Sequence, residues 1–288
     1  MPIDPVRLKN WPFQEVVHAY SARDTILYAL SVGLGADPTD PHQLRYVYGE
    51  ALQVLPTMSL VLGDSALWFH DPEFGLDWSR VLYGEVSIEL HAALPSQGVV
   101  IGRTTIDDVI DRGINKGALI YTSRTVTDQS SGQRLCTVRS TYVCRSEGGF
   151  GGPAATARPL HALPARHPDA SCELPTLPQA ALLYRLNGDS NPLHADPVVA
   201  QGAGFERPIL HGLCTVSVAG HALLKTLCHY DSARVRSLRA RFSKPVYPGE
   251  TLCTDIWREA QGLAGFRCRV IERGIVVLDN GLLEYEEA

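Results

Sequence analysis

The segment 24–33 places apolar residues at helical spacing and ends at Gly33, a pattern that predicts a short helix. The segment 179–189 repeats it, with Ala, Leu and Tyr in a run that closes on Gly188 and Asp189. Two longer runs follow these segments, 51–62 and 209–227. Both are too apolar for a helix with one wet face, and each predicts a largely buried helix. Strand patterns come next in both parts of the chain. In the first, 84–91 alternates polar and apolar residues, Leu94-Pro95 and Gly98 turn the chain, and 99–106 runs back. In the second, 238–245 leads through Val246-Tyr-Pro-Gly-Glu250 into 251–257. Each part then closes on a hairpin, 117–127 with 135–145 around Gly132, and 265–272 with 274–285 around Gly274.

Each half thus reads as helix, buried helix and antiparallel strands, and the chain as two copies of one unit. The expected class is α+β, with each unit wrapping an antiparallel sheet around one central hydrophobic helix. Between the halves stands Gly148-Gly-Phe-Gly-Gly-Pro153, and Pro159, Pro164, Pro168, Pro175 and Pro178 follow. Such proline density resists helix and central strand. It predicts a linker over 153–178 between an N-terminal unit, 1–152, and a C-terminal unit, 179–288.

Composition narrows the function classes. The 288 residues are 45% hydrophobic and 20% charged, as in an ordinary globular protein. A net charge of −5 argues against nucleic acid as a partner. The seven cysteines are odd in number and form no C-x-x-C, which speaks against a disulfide framework or a thiolate zinc site and for buried free thiols. No apolar run is long enough to span a bilayer, so no membrane partner is expected. Pro2, Asp4, Pro5 and Trp11-Pro12 interrupt any secretory signal, and the tail Glu284-Tyr-Glu-Glu-Ala288 is not a peroxisomal S-K-L; the cytoplasm is the expected compartment.

The richest chemistry lies in Tyr184-Arg-Leu-Asn-Gly-Asp-Ser-Asn-Pro-Leu-His194. Gly188 and Pro192 stop a helix there, and the resulting bend can aim Asp189, Asn191 and His194 at one point. Acid–base chemistry needs two such groups beside the reacting bond, and histidine titrates near neutrality. Taken alone, the loop also fits a helix cap and a packed histidine. Fifteen residues beyond His194 begins Ile209-Leu-His-Gly-Leu213, at the start of an apolar helix. A helix N-terminus offers free N–H donors, and Gly212 lets a ligand approach the backbone, as a thioester oxyanion would require.

These residues resemble hydratase 2, the R-specific enoyl-CoA hydratases of the MaoC-like family. Gly148-Gly-Phe-Gly-Gly152, Arg207-Pro-Ile-Leu-His-Gly-Leu213, Arg241-Phe-Ser-Lys-Pro-Val-Tyr-Pro-Gly-Glu250 and Leu82-Tyr-Gly-Glu85 share the likeness, in order and over nearly the whole chain. The resemblance is closest to the double-hotdog form, in which only the C-terminal unit keeps the catalytic loop. It implies a 2-enoyl-CoA substrate, a (3R)-3-hydroxyacyl-CoA product, no cofactor and a homodimer. Asp189 and His194 match the catalytic pair, Asn191 the residue that orients it, Gly212 the backbone donor and Phe242 a ligand-packing position. Ser190, Pro192 and Leu193 belong to the same loop and are expected at the ligand. Tyr83-Gly84 stands where that form usually has His-Gly, a departure. Arg112 falls near a usual CoA-binding lysine, and Lys116 is close enough to share the role.

Arg234, Arg236, Arg239, Arg241 and Lys244 form a basic stripe. It fits either a solvated strand face or a clamp for CoA phosphates, with Arg241 and Lys244 counted at the ligand. The Gly148–Gly152 run lacks the ending of a phosphate loop and reads as close backbone packing. His211 beside Gly212 is read as structural, Asp107, Asp108 and Asp111 as a solvated turn, and no metal is expected. Two other functions fit the same features: a dehydratase of carrier-bound or unusual acyl thioesters, and an idle acyl-CoA-binding subunit. A thioesterase fits less well, because the hydratase signature is intact.

Overall fold

The computed structural model describes residues 3–65, 68–151 and 159–287. Pro2, Ala288 and the expected unit boundary at Gly152-Pro153 lie outside them. Among the described residues ten strands form one antiparallel sheet. They are β1 (Val16–Tyr20), β2 (Val81–Leu90), β3 (Gly98–Asp111), β4 (Ala118–Asp128), β5 (Arg134–Cys144), β6 (Ala170–Pro175), β7 (Val235–Phe242), β8 (Thr251–Ala260), β9 (Leu263–Val270) and β10 (Ile275–Tyr285). Their order is β1-β3-β4-β5-β2-β7-β10-β9-β8-β6. The first five come from residues before 145 and the last five from residues after 169, so two hotdog units lie side by side in one sheet. They are joined where β2 pairs with β7, with Glu85 opposite Arg241 and Val86 opposite Ala240.

The helices are α1 (Pro5–Lys9), α2 (Ala22–Ser31), α3 (Pro41–Val47), α4 (Ala180–Tyr184), α5 (Pro197–Gly202) and α6 (Gly212–Cys228). α2 and α4 are the two short helices of the repeat, and their Tyr28 and Tyr184 rings lie 6.0 Å apart. α6 is the central helix of the second half, with Val216, Ala219, Leu223 and Leu224 sealed from solvent. The two hairpins turn as expected, with Gly132 and Gly274 at φ +72° and +61°.

Two expectations fail. The apolar run 51–62 does not build a long helix. Leu55 is extended, Pro56 opens a single 3-10 turn over Pro56–Leu60, and the chain then turns away. Gly63 takes a positive φ and lies against Gly102 of β3 so closely that a Cβ on Gly102 would sit 1.9 Å from the Gly63 carbonyl oxygen. The run is buried as expected, but as a crossing segment rather than a central helix.

The segment 153–178 is also not a linker throughout. Its residues 170–175 are β6, which pairs with β8 along the sheet's outer edge. An edge strand tolerates proline because one of its sides needs no N–H donors.

Candidate active site

The loop 184–194 is bent by its own side chains. Gly188, at φ +118°, ends the turn after α4. The Asp189 carboxylate accepts the Asn191 N–H at 3.1 Å, and the Asn191 carboxamide accepts the Leu193 N–H at 3.0 Å. These successive Asx turns wind the chain into the short 3-10 turn Pro192–His194, which carries the His194 ring inward. There Nδ1 lies 2.9 Å from the Ile209 carbonyl oxygen. A carbonyl only accepts, so Nδ1 holds the hydrogen and Nε2 keeps its lone pair. Burial lowers the His194 pKa from its ordinary 6.5, and the Asp189 charge offsets only part of that.

His211, fully buried, stacks on His194 with ring centroids 3.8 Å apart. Its Nε2 donates to the Asp189 carbonyl at 3.3 Å, and its Nδ1 is buried without a partner. Burial, with the neighbouring His194, pushes its pKa down to about 2. A carboxylate oxygen of Asp189 and ring nitrogens of His194 and His211 lie within 4.8 Å of one another. Two ring nitrogens of the trio are already committed to carbonyl oxygens. The trio sets one carboxylate beside two stacked imidazoles, an arrangement that can hold and pass protons.

α6 begins at Gly212, beside this pair. The first N–H groups of a helix have no partner within it. A Cβ at Gly212 would come 3.0 Å from the Phe242 ring, so the absent side chain leaves room over those donors. Phe242 in turn lies 5.9 Å from the Tyr83 ring, across the junction of β7 and β2. Gly84 sits at a register shift between β2 and β5, where a Cβ would be 2.9 Å from the Val143 side chain.

A cavity of about 950 Å³ brings these groups together. Of the residues expected at the site, Asp189, Asn191, His194, Gly212, Leu193, Tyr83, Gly84, Arg241, Phe242 and Lys244 line it. Ser190 and Pro192 do not; they face outward on the loop. Arg112 and Lys116 do not either. They stand exposed in the turn between β3 and β4, at the sheet end where Val81 to Gly84 line the cavity. The basic stripe divides. Arg234 and Arg236 bond to Glu286 and Arg239 lies 3.8 Å from Glu85, while Arg241 and Lys244 reach the cavity.

The glycine run packs closely as expected, with Gly149 and Gly151 donating to Asp111. All seven cysteines are free and buried. Sequence reasoning missed His18, Asp24, Met58, Val61 and Asp64, which line the cavity from the first half. No spacing marks them, because they come from β1, α2 and the crossing segment, which only the tertiary fold brings together.

Residues 160–278 match the MaoC like domain, and residues 18–146 the MFE-2 hydratase 2 N-terminal domain. The second-half match takes in β6, in keeping with its place in the sheet. The chain is similar to 3-hydroxyacyl-thioester dehydratase Y of Mycobacterium tuberculosis, 40% identical over 297 aligned positions that cover 99% of each. It is 37% identical to the peroxisomal enoyl-CoA hydratase 2 of Arabidopsis thaliana, over 92% of this chain and 90% of the relative. The crystal structure of a MaoC-like dehydratase from Phytophthora capsici superposes with a TM-score of 0.86 at 33% identity, covering 99% of this chain and 98% of that one. With both halves and the whole length accounted for, the chain belongs to the MaoC-like, hydratase 2 family of hydro-lyases.

Proposed function

We propose that the chain adds water reversibly to a trans-2-enoyl-CoA to give a (3R)-3-hydroxyacyl-CoA, with Asp189 and His194 moving the protons. The observation that carries this reading is the His194 tautomer. Its Nδ1–H is tied to the Ile209 carbonyl, which leaves the Nε2 lone pair beside Asp189 as a base for water. Burial keeps that ring neutral, the form a base requires.

In this mechanism His194 takes a proton from water as its oxygen bonds to C3. The electron pair of the double bond shifts towards the thioester oxygen, to which the Gly212 N–H donates a hydrogen bond as the charge grows. Such a donor contributes roughly 3–4 kcal/mol. The proton taken by His194 passes to Asp189, which delivers it to C2, so the pair ends as it began, a carboxylate and a neutral ring. Asn191 holds the bend of the loop through its bond to Leu193. Arg241 and Lys244 bind the CoA phosphates at the cavity, Phe242 and Tyr83 pack against the ligand, and Arg112 and Lys116 meet the outer part of CoA. No cofactor takes part, since CoA belongs to the substrate.

Asp189→Asn and His194→Gln are each expected to cost at least about 10²–10⁴ in rate. The assay is loss of the enoyl thioester's ultraviolet absorbance, with chiral analysis of the product. Near-normal hydration by either purified variant removes these residues from their roles. Thiol release instead of hydration would make the enzyme a thioesterase. A second reading, dehydration of a carrier-bound thioester, draws support from the name of the Mycobacterium tuberculosis relative, which specifies a thioester and not CoA. Comparing CoA and carrier-protein substrates at equal concentration separates the two.

A further inference from the structure

The cavity does not end at Asp189 and His194. It continues into the first half, where Met58 and Val61 line it together with His18, Asp24 and Asp64. Hydration needs none of these polar groups. Gly63 donates its N–H to His18 Nδ1 at 3.1 Å, so the neutral ring carries its hydrogen on Nε2. Gly63 is the chain neighbour of Asp64, whose charge acts on the ring. Burial pulls the His18 pKa down and favours that neutral ring, and the Asp24 and Asp64 charges offset it in part.

Asp64 is fixed in turn. It is ion-paired with Arg124, whose side chain is 9% exposed against 25% for Asp64. The same guanidinium donates to the Ser59 and Leu60 carbonyls at 3.2 and 2.7 Å. Arg124 thus ties the crossing segment 59–64 to β4 and holds one Asp64 oxygen in place. A charge pair in the wall of a cavity is costly to desolvate. A plain alkyl tail laid against it would strip water from Asp64 and from His18 and return no hydrogen bond. A hydroxyl group can satisfy both at once, accepting from His18 Nε2–H and donating to Asp64.

We infer that this end of the cavity is a specificity subsite for a hydroxyl group carried on the acyl chain away from the thioester, with His18 as donor and Asp64 as acceptor. The inference rests on the hydratase reading above and names the substrate class of the same site: enoyl thioesters oxygenated on their tails.

The test is a panel of 2-enoyl-CoAs of matched lengths, each as plain alkyl, with a hydroxyl at successive tail positions, and with a ketone at those positions. The readout is the ratio of kcat/KM between hydroxylated and alkyl partners. It is taken within one preparation, so the amount of folded enzyme cancels. At the fitting position the hydroxyl is expected to be favoured by roughly tenfold or more. His18→Phe should bring that ratio close to one. The double variant Asp64→Leu, Arg124→Met replaces the pair with an apolar wall and should favour alkyl tails.

No preference at any position overturns the subsite, as does a preference that survives His18→Phe. A ketone that matches the hydroxyl also overturns it, since a ketone cannot donate to Asp64. Should no enoyl-CoA be hydrated at all, the hydratase reading is what fails. Dissociation constants of saturated hydroxylated and alkyl acyl-CoAs then decide the subsite, and equal constants reject it.

Discussion

The His194 ring is held at one edge by the Ile209 carbonyl and on one face by His211, and both arrangements suit a neutral imidazole. The pH dependence of hydration follows with a definite sign. The base-competent form is the unprotonated ring, and burial sets its pKa below 6.5. The rate should therefore fall as the pH drops through the depressed pKa, with the acid limb centred below 6.5. An acid limb in kcat/KM at or above 6.5 contradicts this. His211 touches no reacting atom in the proposed mechanism and acts by position, through the ring it stacks on and the Asp189 carbonyl it binds. His211→Phe keeps a ring in the stack and removes that bond. It is expected to lower kcat roughly 10- to 100-fold with little change in KM, and to alter the acid limb. Simple loss of folded protein would also lower kcat at constant KM, but it would leave the acid limb unmoved.

Among the elements, α6 and the strands after it were legible in the sequence, and the crossing segment 51–62 was not. α6 announces itself by a long apolar run without glycine punctuation except at Gly220, where the missing Cβ accommodates the Thr57 side chain. The run 51–62 is as apolar, yet Pro56 and Gly63 bound it to barely two turns, and hydrophobic content hid that limit. What forces the turn is contact with Gly102, some forty residues on, which no local pattern records. β1 and β6 were missed because each is short and lies at a sheet edge, and β6 stands in the proline-rich stretch. The active loop could be read because its Asx turns are local, whereas His18 and Asp64 could not. The Gly63–Gly102 contact is testable directly. Gly102→Ala forces the backbone apart and should cost about 1–3 kcal/mol in urea unfolding. Gly202→Ala, where a Cβ meets nothing within 4 Å, serves as the control. Equal midpoints for the two would show that the crossing is loosely held.

At the scale of the whole molecule, the cavity runs across the junction between the halves. The second half supplies Asp189, His194 and Gly212, and the first supplies Met58, Val61 and Asp64. In the first half the buried run forms only a short 3-10 turn, and its Met58 and Val61 line the cavity. Among the described residues no helix of α6's length occurs in the first half. Long acyl chains should therefore be accepted, and filling the first half should remove them selectively. Val61→Trp is expected to depress kcat/KM for long-chain enoyl-CoAs by at least about tenfold while a four-carbon enoyl-CoA is hydrated within a few-fold of the parent rate. Equal losses on both would place the tail elsewhere.

The missing central helix of the first half has one more consequence. A pair of identical units would offer two helix N-termini and two symmetry-related ligand positions, whereas this chain presents one, at Gly212. Ligand titration should saturate at one equivalent per chain despite the doubled fold. In the proposed mechanism the proton-moving groups all lie after residue 160, while the walls that meet the ligand come from both halves.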